Sequence, residues 1–311
     1  MPPAKPAVKR PDAKGNADPG ARDSGEPATF EVRRGARLST PLVFASPHSG
    51  RVYPQALLLA SALDGHALRR SEDALVDDLI EPAFARGVAG VLCKVARVYV
   101  DVNRDPWELD PAMFDGRLPA YARSQSARVA AGLGSIAKVV GEGQEVYARK
   151  LSFAEVKARI EAVHQPYHKA LGGLLSEARK AFGVAVLIDW HSMPSAASRS
   201  EAQRGRVRPD IVLGDRHGAA CGRRLSQAMR GALEGMGYVV GMNTPYAGGY
   251  TTETYGRPHG GYHALQVEID RSIYLNEASL EPSAGFARVR QDLEQVCETL
   301  LQTDWKQTLR S

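Results

Sequence analysis

Cysteine is scarce: Cys93, Cys221 and Cys297 are the three in 311 residues, far apart and outside any C-x-x-C pair. That excludes a disulfide framework, a thiol redox motif and a thiolate zinc site, and all three read as small buried hydrophobes in a reducing compartment. No run approaches the eighteen or so consecutive apolar residues of a membrane helix, and no apolar stretch follows the basic residues at the start, as a secretory signal requires. Also missing are G-x-S-x-G, a glycine-rich loop ending in Gly-Lys-Ser/Thr and G-x-G-x-x-G, so serine-hydrolase, phosphate-loop and dinucleotide functions lose most of their support. Lys and Arg number 40 against 35 acids, a net charge of +5, but no dense basic run with interleaved aromatics marks a nucleic-acid surface. The reading is a cytoplasmic globular protein with no membrane or nucleic-acid partner.

What is present is ordinary globular material, 43% hydrophobic and 24% charged. Residues 1–34, rich in Pro, Ala, Gly and charge, read as a disordered tail, and residues 35–311 as one domain. The polar stretch Ala196 to Arg208 reads as a mobile surface loop. Short apolar runs predict strands over Leu42 to Ser46, Gly90 to Val95, Val98 to Val102, Val184 to Ile188, Ile211 to Leu213, Tyr238 to Val240 and His263 to Ile269. Helical patterns lie between them. The clearest starts at Ser152, where Ser-x-x-Glu forms a capping signal, and should kink at Pro166. This alternation predicts an α/β fold with a mixed, largely parallel central sheet flanked by helices.

In such folds ligands bind beyond the carboxyl ends of strands. His48, in Pro47-His48-Ser49-Gly50, and His191, in Asp189-Trp190-His191-Ser192, occupy two such places. They suit either a pair of imidazole metal ligands or two loop hydrogen-bonders. A third ligand would come from Asp73 or Glu72, although acids opening a helix are also explained by its dipole. Glu268 interrupts the apolar run Leu265, Val267, Ile269 and faces the other way. It is a general base or a salt-bridge partner. Arg104 offers a planar fork for a carboxylate, or pairs with Asp101 or Asp105. His164 and His168 have the spacing of a zinc helix, but position 165 is Gln and leaves no glutamate to act as base.

The strings PHSGRVYP, SEDALVDDL, DVNRDPWELDP, PYH, LIDWHSMPS, DIVLGDR and PYAGGYTTETYGRPHGGYHALQVEIDRSIYLNE, in this order from about residue 40 to 300, together resemble the N-formylglutamate amidohydrolase family. The resemblance implies a zinc-peptidase (phosphorylase/hydrolase)-like fold. It also implies a metal-dependent amidohydrolase of histidine catabolism that releases formate from N-formyl-L-glutamate. It further implies His48, His191 and Asp73, with Glu72 as the alternative, as metal ligands and Glu268 as general base. Asn103, Arg104 and Arg257 become groups for the substrate carboxylates, Asp189 becomes the support behind a ligand histidine, and His263 a hydrogen-bonding support near the base. Zinc is the implied cofactor, with manganese, cobalt and iron open, and the partner is a small N-acyl amino acid. A deacylase for another N-acyl amino acid and a non-catalytic binding protein on the same fold stand as alternatives, and oligomeric state is open.

Overall fold

The chain is described by a computed structural model over residues 28–141 and 143–309. In chain order its strands are β1 (Phe30–Arg33), β2 (Leu42–Ser46), β3 (Ala89–Cys93), a small pair of β4 (Val139–Val140) and β5 (Gln144–Glu145), β6 (Ala185–Met193), β7 (Ile211–Gly214), β8 (Val240–Met242), β9 (Tyr262–Asp270) and a second small pair of β10 (Leu275–Asn276) and β11 (Glu281–Pro282). The helices are α1 (Gln55–Ala60), α2 (Gly65–Arg69), α3 (Val76–Ala85), α4 (Ala127–Ala130), α5 (Phe153–Arg159), α6 (Gln165–Phe182), α7 (Ser195–Gln203), α8 (Arg223–Gly235), α9 (Tyr250–Tyr255) and α10 (Phe286–Leu301).

Seven strands form one sheet in the order β1-β3-β2-β6-β9-β7-β8. β3, β2, β6 and β9 run parallel, β1 closes one edge antiparallel, and β7 with β8 runs against β9. The sheet is thus mixed and largely parallel, and helices cover both faces. Strand alternation divides the side chains. Val186, Ile188, Trp190, Leu265, Val267 and Ile269 join the core with α3, α8 and α10. Ala185, Leu187 and Ala264 join a second core under α6. Asp189, His191, Gln266 and Glu268 share the parity of that second face, and there the apolar series gives way to polar groups.

Several elements differ from the pattern reading. β1 lies inside the span read as tail: Phe30 is buried edge-on to Tyr167 at 6.4 Å, and residues 30–33 pair with β3. Residues 1–27 of that span lie outside the described residues. Val98 to Val102 alternates like a strand and buries its valines, yet is irregular, because β1 already occupies the edge of β3; the Asp101 N–H donates instead to Ser135 O. Within the expected surface loop at 196–208, Ser195–Gln203 form helix α7. Its inward stripe, Ser195, Ser198 and Glu201, is polar and is satisfied by Glu277, Asp270, Arg204 and Arg206, so hydrophobic periodicity could not reveal it. At Pro166 the expected kink takes the form of a π-helical turn, Ile160–His164, between α5 and α6, as the missing proline N–H favours a widened turn.

Gly50, two residues after His48, passes so close to the neighbouring segment that an added Cβ would lie 2.3 Å from Val95 O and 2.6 Å from the Lys94 carbonyl carbon. Gly50→Ala is therefore expected to cost about 1–3 kcal/mol, as overpacking against backbone does. Gly65→Ala, with nothing within 4 Å of the new methyl, should change little. Urea unfolding of both variants checks this, and equal midpoints would refute the close-approach argument.

Candidate metal centre

The carboxyl ends of β2 and β6 lie side by side, and each delivers a histidine. His48 follows β2 by two residues, and His191 sits near the end of β6 opposite Glu268 on β9. Asp73, on the turn leading to α3, is tied to the first by its own N–H, which donates to His48 O at 3.0 Å. Asp73 Oδ2 lies 3.3 Å from His48 Nδ1 and 3.1 Å from His191 Nδ1, and the two Nδ1 atoms are 3.1 Å apart. These three buried residues form a group able to hold a metal ion. The neighbouring Glu72 turns away, accepting from Tyr53 OH at 2.6 Å and from Arg69. Asp73 is therefore the carboxylate that joins the group.

The donor set fits a cation. His48 Nε2 meets Asp101 Oδ1 at 2.7 Å, and His191 Nε2 lies 3.0 Å from Asp189 Oδ2 and 3.1 Å from Asn103 Nδ2. His48 Nε2 is turned to a carboxylate, and the Nδ1 atoms of both rings face each other and the anionic Asp73 Oδ2, an arrangement that positive charge relieves. Burial alone would depress the His191 imidazole, but Asp189 and Asp73 outweigh it and raise it well above its ordinary value. Burial likewise opposes the charge of Asp73, yet His191 and His48 hold its carboxyl well below the usual range. Asp73 Oδ1 is held by Arg271 Nη2 at 3.1 Å, and Asp101 Oδ2 by Arg97 Nε at 2.9 Å.

Glu268 is buried beside this group and accepts from Gln266 Nε2 at 2.8 Å. Burial is the main cause that pushes its carboxyl up to about 7; Asp73 adds to this, while His191, Arg97 and Arg271 oppose it. A carboxyl in that range can take and return a proton near neutrality. His48, Asp73, His191 and Glu268 open on a cleft of about 550 Å3 that Arg104, Arg128 and Tyr246 also line. A larger groove of about 1240 Å3 between β1 and α6 is lined by no histidine, and its Arg34 pairs with Glu177 at 2.8 Å. The three thiols are buried, and burial pushes each up to about 12, which leaves them inert.

Of the remaining residues singled out in the sequence, Asn103 and Arg104 reach the cleft and Asp189 backs His191. Arg257 and His263 do not arrive. Arg257 packs over the Tyr262 ring at 4.9 Å, at the start of β9. Glu268 is six residues further on, about 20 Å along the strand. His263 accepts from Gly222 N–H at 2.9 Å and, by strand parity, faces away from Glu268. The resemblance implies Arg257 as a carboxylate clamp and His263 as a hydrogen-bonder near the base; the length and alternation of an extended strand keep both from those places. Asp101, Arg97 and Arg271 were not anticipated as supports. The one available hint was the ring of charges around Asn103-Arg104, because a carboxylate behind an imidazole comes from another segment of chain.

With this geometry in place, three comparisons bear on the chain. The family model for N-formylglutamate amidohydrolase matches residues 40–275. An N-formylglutamate deformylase of Pseudomonas putida is 31% identical over 257 residues, covering 76% of this chain and 88% of that protein. One from Pseudomonas aeruginosa is 28% identical over 278 residues, covering 88% and 96%. The crystal structure of N-formylglutamate amidohydrolase from Ralstonia eutropha superposes with a TM-score of 0.83 at 34% identity, over 89% of this chain and 98% of that one. A gene product of Agrobacterium tumefaciens, Atu2144, shares the fold at a TM-score of 0.61 and 20% identity, over 88% and 94% of the two chains. Among the described residues, no helix is long and apolar enough to cross a membrane.

His48→Ala and His191→Ala are expected to lose bound metal, whereas Asp101→Asn should weaken metal affinity by about 10–100-fold. Metal titration of the stripped protein checks both, and full stoichiometry in the alanine variants would remove the assignment. A second prediction concerns acid stability. Burial lowers His168 from 6.5 to about 3, so between those values the unfolded chain binds a proton that the folded one refuses. Stability should therefore fall as pH drops through that window and return as pH rises. Between pH 7 and pH 5, His168→Gln should lose about 2 kcal/mol less than the parent chain in urea unfolding. An equal loss would contradict the burial argument.

Proposed function

The chain belongs to the N-formylglutamate amidohydrolase family and is a hydrolase of amide bonds, and from that premise we propose that it converts N-formyl-L-glutamate to formate and glutamate. We further infer a zinc-dependent reaction with Glu268 as general base, serving histidine catabolism. The observation that carries this reading is the meeting of His48, Asp73 and His191 in one buried group beside a carboxyl raised to about 7. A zinc ion held by those three residues would polarise the formyl carbonyl and acidify a water molecule. Glu268 takes the proton from the attacking water and returns it to the leaving amine as the C–N bond breaks. Gln266, donating to Glu268 Oε1, fixes the carboxylate for that transfer.

The substrate is a dicarboxylate, and the cleft is correspondingly basic. Arg104 is mostly but not fully buried and donates to two carbonyl oxygens, those of Leu133 and Asn103 at 3.1 and 3.0 Å; the carboxylate of Asp101 is 4.0 Å away. Burial pushes its guanidinium below its ordinary value, so an incoming carboxylate supplies the counter-charge it lacks. Arg128 leaves 37% of its side chain exposed on the cleft wall, with Glu108 at 4.0 Å. It replaces Arg257 as the partner for the second carboxylate.

Formate release from N-formyl-L-glutamate should be abolished by chelator and restored by zinc; release at full rate with chelator present would end the metal reading. Glu268→Gln should keep its metal and lower kcat by about 100-fold or more. Arg128→Ala should raise KM for N-formyl-L-glutamate about tenfold while sparing N-formylglycine, and Arg257→Ala should leave both unchanged. An Arg128 variant that behaves like the parent on both substrates would return the second carboxylate to another group.

A further inference from the structure

His164 and His168 have the four-residue spacing of a metal pair, but their ring nitrogens are engaged elsewhere. His164 Nε2 lies 2.9 Å from Arg104 O, and His168 Nε2 lies 2.7 Å from Val102 O. These carbonyls flank Asn103. The carbonyl between them, Asn103 O, accepts from Tyr250 N–H at 3.3 Å, and the Tyr250 ring packs against both imidazoles at 5.6 and 5.2 Å. Three consecutive carbonyls in a segment without regular structure are thus each met by a donor. In a sheet, such groups would find their partners in the next strand.

Two other regions touch the same segment. The Asn103 N–H donates to Asp101 Oδ1, the oxygen that also meets His48 Nε2. The Asn103 side-chain oxygen accepts from Thr251 N–H at 2.8 Å, which turns its amide nitrogen toward His191. Arg104 extends from the far end of the segment into the cleft. We propose that His164 and His168 are positioning residues that clamp residues 102–104 from the α6 side and so fix Arg104 for the substrate carboxylate. The proposal rests on the substrate-binding reading of Arg104 given above. Burial lowers both imidazoles, His168 to about 3, so each ring is neutral near pH 7 and carries one N–H. The neutral state suits two rings 4.5 Å apart, and the clamp assigns that N–H to Nε2 in both.

The test compares phenylalanine, which keeps a ring without a donor, with glutamine, which restores an amide N–H near the Nε2 position. With N-formyl-L-glutamate as substrate, His164→Phe and His168→Phe should each raise KM about tenfold, with kcat changed less than about threefold and metal per chain unchanged. His164→Gln and His168→Gln should recover KM to within about threefold of the parent. Folded phenylalanine variants with parental KM, or equal losses in the Gln and Phe variants, would overturn the proposal. Nitrogen-15 imidazole spectra of the unmodified chain decide the matter even where a variant does not fold. Both rings should show protonated Nε2 and bare Nδ1, and the opposite tautomer in either would refute the clamp. Those spectra do not depend on which substrate is hydrolysed. An unmodified chain inert to N-formyl-L-glutamate but with both Nε2–H tautomers would overturn the substrate reading and leave the clamp standing.

Discussion

Two imidazole nitrogens 3.1 Å apart, both facing one carboxylate oxygen inside a buried pocket, are not held together by their own attraction. In a medium of low polarity, polar nitrogens that close need positive charge between or upon them, and a lone carboxylate is costly to bury. The surroundings answer with charge of the right sign at each position. Asp101 and Asp189 stand behind the two rings, Arg271 holds the outer oxygen of Asp73, and Arg97 holds the outer oxygen of Asp101. Every group that converges on the centre therefore has a partner of opposite character on its other side, and positive charge at the centre completes the set.

The sheet makes this arrangement rigid. β2 and β6 are parallel neighbours, so their carboxyl ends open at the same edge, and β9 beside β6 sets Glu268 directly across from His191. A register slip of one residue in β9 would turn Glu268 into the apolar core and bring Val267 or Ile269 into the cleft. Register is fixed by the two cores, because Leu265, Val267 and Ile269 must face α8 and α10 while Ala264 faces α6. The position of the base is thus a consequence of packing on the opposite side of the strand.

The groups that would meet a substrate stand on less regular chain. Asn103 and Arg104 lie in a segment without regular structure, held through side chains from the π-helical turn and from α6 and by backbone N–H groups of α9. Rigid strands carry the charge-dense centre, and irregular segments fastened by individual hydrogen bonds carry the cleft. Binding groups on loops over a fixed scaffold follow from the separate demands on the two parts: the centre tolerates little displacement, whereas a cleft wall can be reshaped without disturbing the sheet.

Much of this was written in local patterns. Alternation around Glu268 placed it on the polar face of its strand, the strand-end positions of His48 and His191 marked them as a pair, and the order of motifs carried the family resemblance. These features depend on neighbours within a few residues, and a sequence displays such neighbours directly. The choice of Asp73 over Glu72, the carboxylate of Asp101 behind His48, the hold of Arg271 on Asp73, and the places of Arg257 before β9 and His263 near its start were decided by tertiary structure. Each of those depends on where distant segments meet or on how far an extended strand carries a residue. Helix α7 belongs with them, since its inward face is polar and its partners are drawn from as far away as Asp270 and Glu277. The sequence by itself determined which chemistry the chain could assemble; the fold decided which of several equivalent acids and arginines would take part, because only the fold brings charges from separate segments within a few ångströms of one another.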